Sequence, residues 1–151
     1  MIFILLFVIL LSDQASKFIF NKFLALNQTL PVINGFFHLT LVHNSGVAFG
    51  LFKGRVPLFI FTSLFAIVLI IMALRDKKDR AEGCAKKGRI YRIALVLILA
   101  GGLSNLIDRI SLGYVIDFID FRIWPVFNLA DSAITIGAAL LAYTIFKSNG
   151  K

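Results

Sequence analysis

The sequence predicts a mainly α-helical membrane protein: a bundle of four transmembrane helices carrying a small extracytoplasmic β-sheet. Three observations lead there. The 151 residues, a length that ordinarily allows one domain, are 59% apolar and include sixteen phenylalanines, and their mean hydropathy is +0.89. Apolar runs recur at about residues 1–24, 57–74, 91–110 and 128–146, each close to the length that crosses a ~30 Å hydrocarbon layer as a helix. The segment after the first run is instead rich in β-forming residues bounded by turn signals.

The first run is interrupted by Ser12, Asp13, Gln14 and Lys17, which weakens its hydropathy but not its helical character. A cleaved secretory signal over residues 1–16 would need a basic leader, whereas the chain opens Met1-Ile2-Phe3-Ile4 and stays apolar through Phe18-Ile19-Phe20. In segment 25–56, Pro31 and Asn34-Gly35 read as turns, Phe36-Phe37-His38-Leu39-Thr40-Leu41-Val42 as strand, and Asn44-Ser45-Gly46 as another turn. The apolar Val47-Ala48-Phe49-Gly50-Leu51-Phe52 lies outside the spans and would rest the sheet on the membrane surface. Residues 116–122 could add a further strand.

Charge sets the expected orientation. The loop at residues 75–90 and its flank hold Arg75, Lys77, Lys78, Arg80, Lys86, Lys87, Arg89 and Arg92 against Asp76, Asp79 and Glu82, half the basic residues of a chain with net charge +8. A short basic loop between two apolar spans is a topology determinant rather than a nucleic-acid surface, and it belongs in the cytoplasm. Both termini then lie inside, in agreement with Lys147 and Lys151, and segments 25–56 and 111–127 face outward. The whole of 1–151 reads as a single integral membrane domain.

Depth now groups the polar residues. At 1.5 Å per residue, Asp13 lies roughly 18 Å and Lys17 roughly 24 Å along the first span, both in its outer half. Asn105, Asp108 and Arg109 fall about 20–26 Å along the third, which also runs outward. Asn128, Asp131 and Ser132 begin the fourth at its outer end. Three helices thus place unusual groups at one depth. Gly101, Asn105, Asp108 and Arg109 share a helix face, Asp13 and Lys17 stand four apart, and the glycines of Gly101-Gly102 and Gly137 permit close helix approach.

Each group also has a purely structural use. Asn128 three residues before Asp131 resembles an N-cap followed by an acid in the first turn. Asp108 with Arg109, and Asp13 with Lys17, could be pairs that anchor helices, Lys17 reaching to the outer interface. Asn44 fits a turn. Asp117, in Tyr114-Val115-Ile116-Asp117-Phe118-Ile119, is harder to explain that way, although Asp120 competes with it and would face the opposite side of a strand. Two carboxyls in apolar surroundings tend to share one proton, and such a pair can activate water against a peptide bond with no protein nucleophile. Other hydrolytic devices are missing from the sequence: no Gly-x-Ser-x-Gly, no His-Glu-x-x-His, and only His38, His43 and the lone Cys84 as soft ligands. No metal or cofactor is expected.

At these residues the chain resembles the bacterial lipoprotein signal peptidases (signal peptidase II), polytopic aspartyl proteases of the inner membrane. The resemblance runs through Asp13-Gln14-Ala15-Ser16-Lys17, Asn44-Ser45-Gly46-Val47-Ala48-Phe49, Gly101-Gly102-Leu103-Ser104-Asn105-Leu106-Ile107-Asp108-Arg109, Val115-Ile116-Asp117-Phe118 and Phe127-Asn128-Leu129-Ala130-Asp131-Ser132, in that order. It implies that Asp117 and Asp131 are the catalytic pair and that Asn44, Gly101, Asn105, Asp108, Arg109 and Asn128 shape the site, supported by Asp13 and Lys17. It also implies the substrate, a prolipoprotein cut immediately before a diacylglyceryl-modified cysteine, met in membrane lipid by an enzyme that nothing requires to be more than a monomer. Three departures stand out: Ser104 where the family usually has glycine, a first span starting almost at Met1, and a short connection from Asp117 to Asp131. The competing classes are a proton-linked carrier, for which polar groups should line the whole membrane thickness, and a structural subunit, for which Asp117 would have no use.

Overall fold

The computed structural model describes residues 2–46, 55–76 and 85–149. The apolar run 47–52, the central part of the basic loop with Cys84, and Lys151 lie outside the described residues. The elements run α1 (Ile2–Phe23), β1 (Thr29–Ile33), β2 (Phe37–Asn44), α2 (Val56–Arg75), α3 (Ala85–Ser111), β3 (Val115–Asp120) and α4 (Leu129–Asn149). All four helices are long and apolar enough to cross a membrane, so the chain is a mainly helical, multi-pass membrane protein with one small sheet.

Helix α2 shows why. Pro57 sits in its first turn, where a missing N–H costs nothing, and no charge follows until Arg75. Apolar on every side, it leaves Phe61, Phe65, Val68 and Met72 exposed, the signature of a helix solvated by lipid. Its inner face packs on α3: Ile67 meets Leu99 and Leu106, with Ile60, Ile70, Ile71 and Leu74 around them. Helix α3 is the hub, packing against α1, α2 and α4. It begins at Ala85, earlier than the apolar run, so residues 85–90 are helical.

The seam between α3 and α4 is the closest in the bundle. A Cβ at Gly101 would collide with the carbonyl oxygen of Ala130 and come within 2.8 Å of Ile134 Cγ1. One at Gly137 would lie 2.7 Å from Ile98 Cγ1 and 2.8 Å from the Ala94 carbonyl oxygen. Small residues let the backbones touch, which in lipid replaces the missing hydrophobic drive for association.

The sheet is antiparallel in the order β1-β2-β3. It corrects one sequence expectation. Pro31, read as a turn, lies within β1, an edge strand where the absent N–H breaks no ladder bond, and the pairing slips between Pro31 and Ile33. The turn itself falls at Asn34-Gly35, with Gly35 at φ +74°. Strand β2 continues past Val42 to Asn44, and its register with β3 shifts between Leu39 and Val42 so that Val42 faces Asp117 and Asn44 faces Val115. Phe118 stacks on Phe20 of α1 at 4.3 Å, and Phe127 closes the far side of β3 through backbone bonds with Ile119.

Gly101 and its neighbour make a matched test, because nothing lies within 4 Å of a Cβ built on Gly102. Gly101→Ala should lower the thermal unfolding midpoint in detergent, at a cost of about 1–3 kcal/mol. Gly102→Ala should leave it unchanged or raised.

Candidate active site

The site starts from α1. Asp13 and Lys17 face inward one turn apart, their ion pair 2.7 Å long, and Lys17 is only 2% exposed. Lys17 therefore does not reach to the interface as expected. An ammonium has three donors, and each finds an oxygen: Asp13 Oδ2, Asp108 Oδ2 at 2.9 Å and Asn105 Oδ1 at 2.8 Å. This also corrects the expected pairing of Asp108 with Arg109. Neighbours on a helix point about 100° apart, and Asp108 turns to Lys17, to Gln14 Nε2 at 2.8 Å and to the backbone N–H of Ile116 at 3.2 Å. Arg109 instead lays its guanidinium over the Phe59 ring at 5.5 Å and donates to the Asn105 carbonyl at 3.4 Å.

Asp13 does a second thing. Its Oδ1 accepts the backbone N–H of Ala130 at 2.8 Å, satisfying one of the free donors at the start of α4 from a different helix. Ser104 donates to its other oxygen at 2.6 Å and accepts from Gln14 at 2.9 Å. Gln14 and Ser104 were not singled out as site residues from sequence. The available signal was that Ser104 interrupts a stretch of small and apolar residues on the same face as Asp108.

Asn128 joins the halves of the site. It caps α4 reciprocally with Asp131: its Oδ1 accepts the Asp131 N–H at 2.8 Å, and its own N–H donates to Asp131 Oδ2 at 3.4 Å. Because Oδ1 is committed to the cap, Nδ2 points away from the helix, donating to Asp117 Oδ1 at 2.7 Å, Asn105 Oδ1 at 3.1 Å and the Ile116 carbonyl at 3.2 Å. Asn105 Nδ2 donates to Asp131 Oδ1 at 2.8 Å. Asn44 works likewise: its Oδ1 accepts the Gly46 N–H in a local turn, leaving Nδ2 to donate to Asp117 Oδ2 at 2.9 Å. So the cap and turn readings of Asn128 and Asn44 hold, and the same geometry aims both amides at Asp117.

Asp120 goes elsewhere. It accepts from Thr40 Oγ1 at 2.7 Å and from the Arg122 N–H at 2.8 Å. Asp13, Lys17, Asn44, Gly101, Asn105, Asp108, Asn128, Asp117 and Asp131 thus converge on one end of the bundle, with Arg109 at their edge. Asp117 is 1% exposed, and burial, followed by the charge of Asp131, raises its pKa to about 7 despite hydrogen bonds from Asn44 and Asn128 and the charge of Lys17. Among the described residues no group of three or more His, Cys, Asp or Glu is placed to hold a metal ion.

Fold and site together define a polytopic membrane protein with a buried, carboxylate-centred polar site at one end of four helices. Residues 5–147 match the family model for Signal peptidase (SPase) II. A lipoprotein signal peptidase of Moorella thermoacetica is 42% identical over 99% of this chain and 95% of its own length, and one of Fusobacterium nucleatum is 44% identical over 93% and 84%. A solved bacterial membrane enzyme superposes with TM-score 0.86 at 29% identity, covering 99% of this chain and 91% of that one. The chain belongs to the signal peptidase II family, a family of peptidases.

Asn128 carries two separable roles. Asn128→Asp keeps a capping oxygen but turns a donor to Asp117 into a third carboxylate. Stability in detergent should fall by about 1–3 kcal/mol at neutral pH, and the deficit should narrow as pH is lowered and the added carboxyl is protonated. Thermal unfolding across pH measures it.

Proposed function

We propose that the protein is an aspartyl endopeptidase that removes the signal peptide from diacylglyceryl-modified prolipoproteins, cutting just before the lipidated cysteine. The observation that supports it most is the pair Asp117 and Asp131, tied to one asparagine, Asn128, from a strand and a helix respectively. Family membership supports the substrate class, since the relatives are lipoprotein signal peptidases.

In this reading the pair holds one proton. Asp131 takes a proton from water as the oxygen attacks the scissile carbonyl, and Asp117 gives its own to the departing amine nitrogen. Both carboxyls are held by amide donors that stay neutral through the cycle, so no ion pair must break for a proton to move. The two titrate as a unit. Asn44, Asn105 and Asn128 orient the acids, Arg109 with Phe59 borders the site beside α2, and Gly101 lets the start of α4 sit against α3.

Orientation follows from charge. Arg75, Arg89, Arg92 and Lys147 lie at the helix ends opposite the sheet, so both termini are cytoplasmic and the site faces outward in the cytoplasmic (inner) membrane. Exposed Leu30, Val32, Ile33, Phe36 and Ile123 on and beside the sheet suit contact with lipid at the outer surface, where a lipid-anchored substrate is found. The side chains of the site all come from one chain, so the reading needs no more than a monomer.

Asp117→Asn and Asp131→Asn should each reduce cleavage of a diacylglyceryl-modified precursor by at least about a thousandfold while the protein stays folded, as seen in a gel-shift assay of the shortened product. If both variants process the precursor normally, the reading fails. The pH–rate profile should be bell-shaped. With the Asp117 pKa at about 7, activity falls as pH rises through about 7 and the shared proton is lost, and falls again in acid when both carboxyls are protonated. The same raised pKa means the folded state binds that proton more tightly than the unfolded chain, so its contribution to stability is lost as pH climbs toward about 7.

A further inference from the structure

Lys17 has a place in this site that charge balance alone does not explain. Its Nζ donates to Asn105 Oδ1 at 2.8 Å, the oxygen that Asn128 Nδ2 also reaches at 3.1 Å. A side-chain amide can turn over with little change in shape, exchanging its donor for its acceptor. With a cation fixed against its oxygen, Asn105 must point Nδ2 the other way, and there it meets Asp131 Oδ1 at 2.8 Å. If the amide turned over, the oxygen of Asn105 would face a carboxylate and its NH2 would face an ammonium, both repulsive.

We propose that Lys17 is a positioning residue for peptide hydrolysis, locking the Asn105 amide so that it holds the Asp131 carboxyl in its working orientation. The proposal rests on the reading of Asp131 as one of the catalytic pair. Lys17 touches neither acid of the pair. It acts from α1 through α3 onto α4. The charged groups around it are Asp13 on α1, Asp108 on α3 and, beyond Asn105, Asp131 on α4 and Asp117 on β3, with Arg109 at the rim. Its position is itself fixed, since Asp13 and Asp108 hold the other two donors. The positive charge also favours the ionised form of Asp117.

Two consequences separate positioning from mere packing. Lys17→Met should lower kcat at least about tenfold with KM within about twofold, because the substrate-binding surfaces are untouched while one acid loses its orientation. The alkaline limb of the pH–rate profile should also move up by about one pH unit, since a cation that favours ionised Asp117 is gone. Lys17→Arg, which keeps charge and donors, should retain the unshifted limb. Loss of Lys17 leaves Asp13 and Asp108 without a cation, so the single variant is paired with Lys17→Met/Asp108→Asn, which removes one of the stranded charges. That double variant should regain thermal stability yet keep the kcat defect. If it regains wild-type kcat along with stability, Lys17 is structural only and the proposal is overturned. An unshifted alkaline limb in a folded Lys17→Met would overturn it equally. Failure of the catalytic-pair reading shows separately, as cleavage surviving Asp131→Asn with Lys17 intact.

Discussion

A buried ammonium with every donor used is what the rest of this structure leans on. Asp13 and Asp108 lie at one end of a bundle whose surface is lipid, where an unpaired carboxylate is costly. Lys17 makes both tolerable, at 2.7 and 2.9 Å. It also ties α1 to α3, and Asp13 carries the link on to the first turn of α4. Three helices are therefore fastened at one level by directional bonds, and that level is where Asp131 begins its helix. The cost of burying charge is repaid in register, a use for which a buried ion pair is better suited than for raw stability.

The amides do the finer work. Asn44 ends a strand, Asn128 starts a helix, and each spends its oxygen on a local backbone N–H. That commitment fixes which way the NH2 group faces. Local capping chemistry thus becomes long-range orientation, and Asp117 receives both donors without a cation touching it. A carboxyl set among neutral donors in dry surroundings keeps a proton available near neutral pH, which is the property that proton-sharing acids require.

Much of this was legible in the sequence. Composition and run length gave four spans, since no soluble domain of this size carries so many apolar residues. That Asp13, Asn105, Asp108 and Asp131 share one level of the bundle follows from helical rise once the spans are taken to alternate in direction. Adjacency along the chain pairs Asp108 with Arg109 but says nothing about direction around a helix; the partners of Asp108 lie over ninety residues away in Gln14 and Lys17. Lys17 reads as an interface residue because long basic side chains usually find water, and only the fold shows three acceptors waiting inside. Pro31 reads as a turn because an edge strand cannot be told from a turn before its neighbours are known. Between Asp117 and Asp120 spacing could not choose; the slip in β2–β3 register and the position of Asn128 separate them.

Helix α2 is seated differently from its companions. The side-chain hydrogen bonds around Lys17 and Asn105 run among α1, α3 and α4, while the middle of α2 meets α3 through aliphatic contacts and the Phe59 ring under Arg109. In hydrocarbon such contacts can be traded for acyl chains at small loss, because lipid solvates leucine about as well as protein does. The bundle is accordingly a braced frame of three with a fourth wall on a softer seat. Among the described residues, a tilt of that wall would disturb fewer cross-helix polar bonds than a shift of α1, α3 or α4.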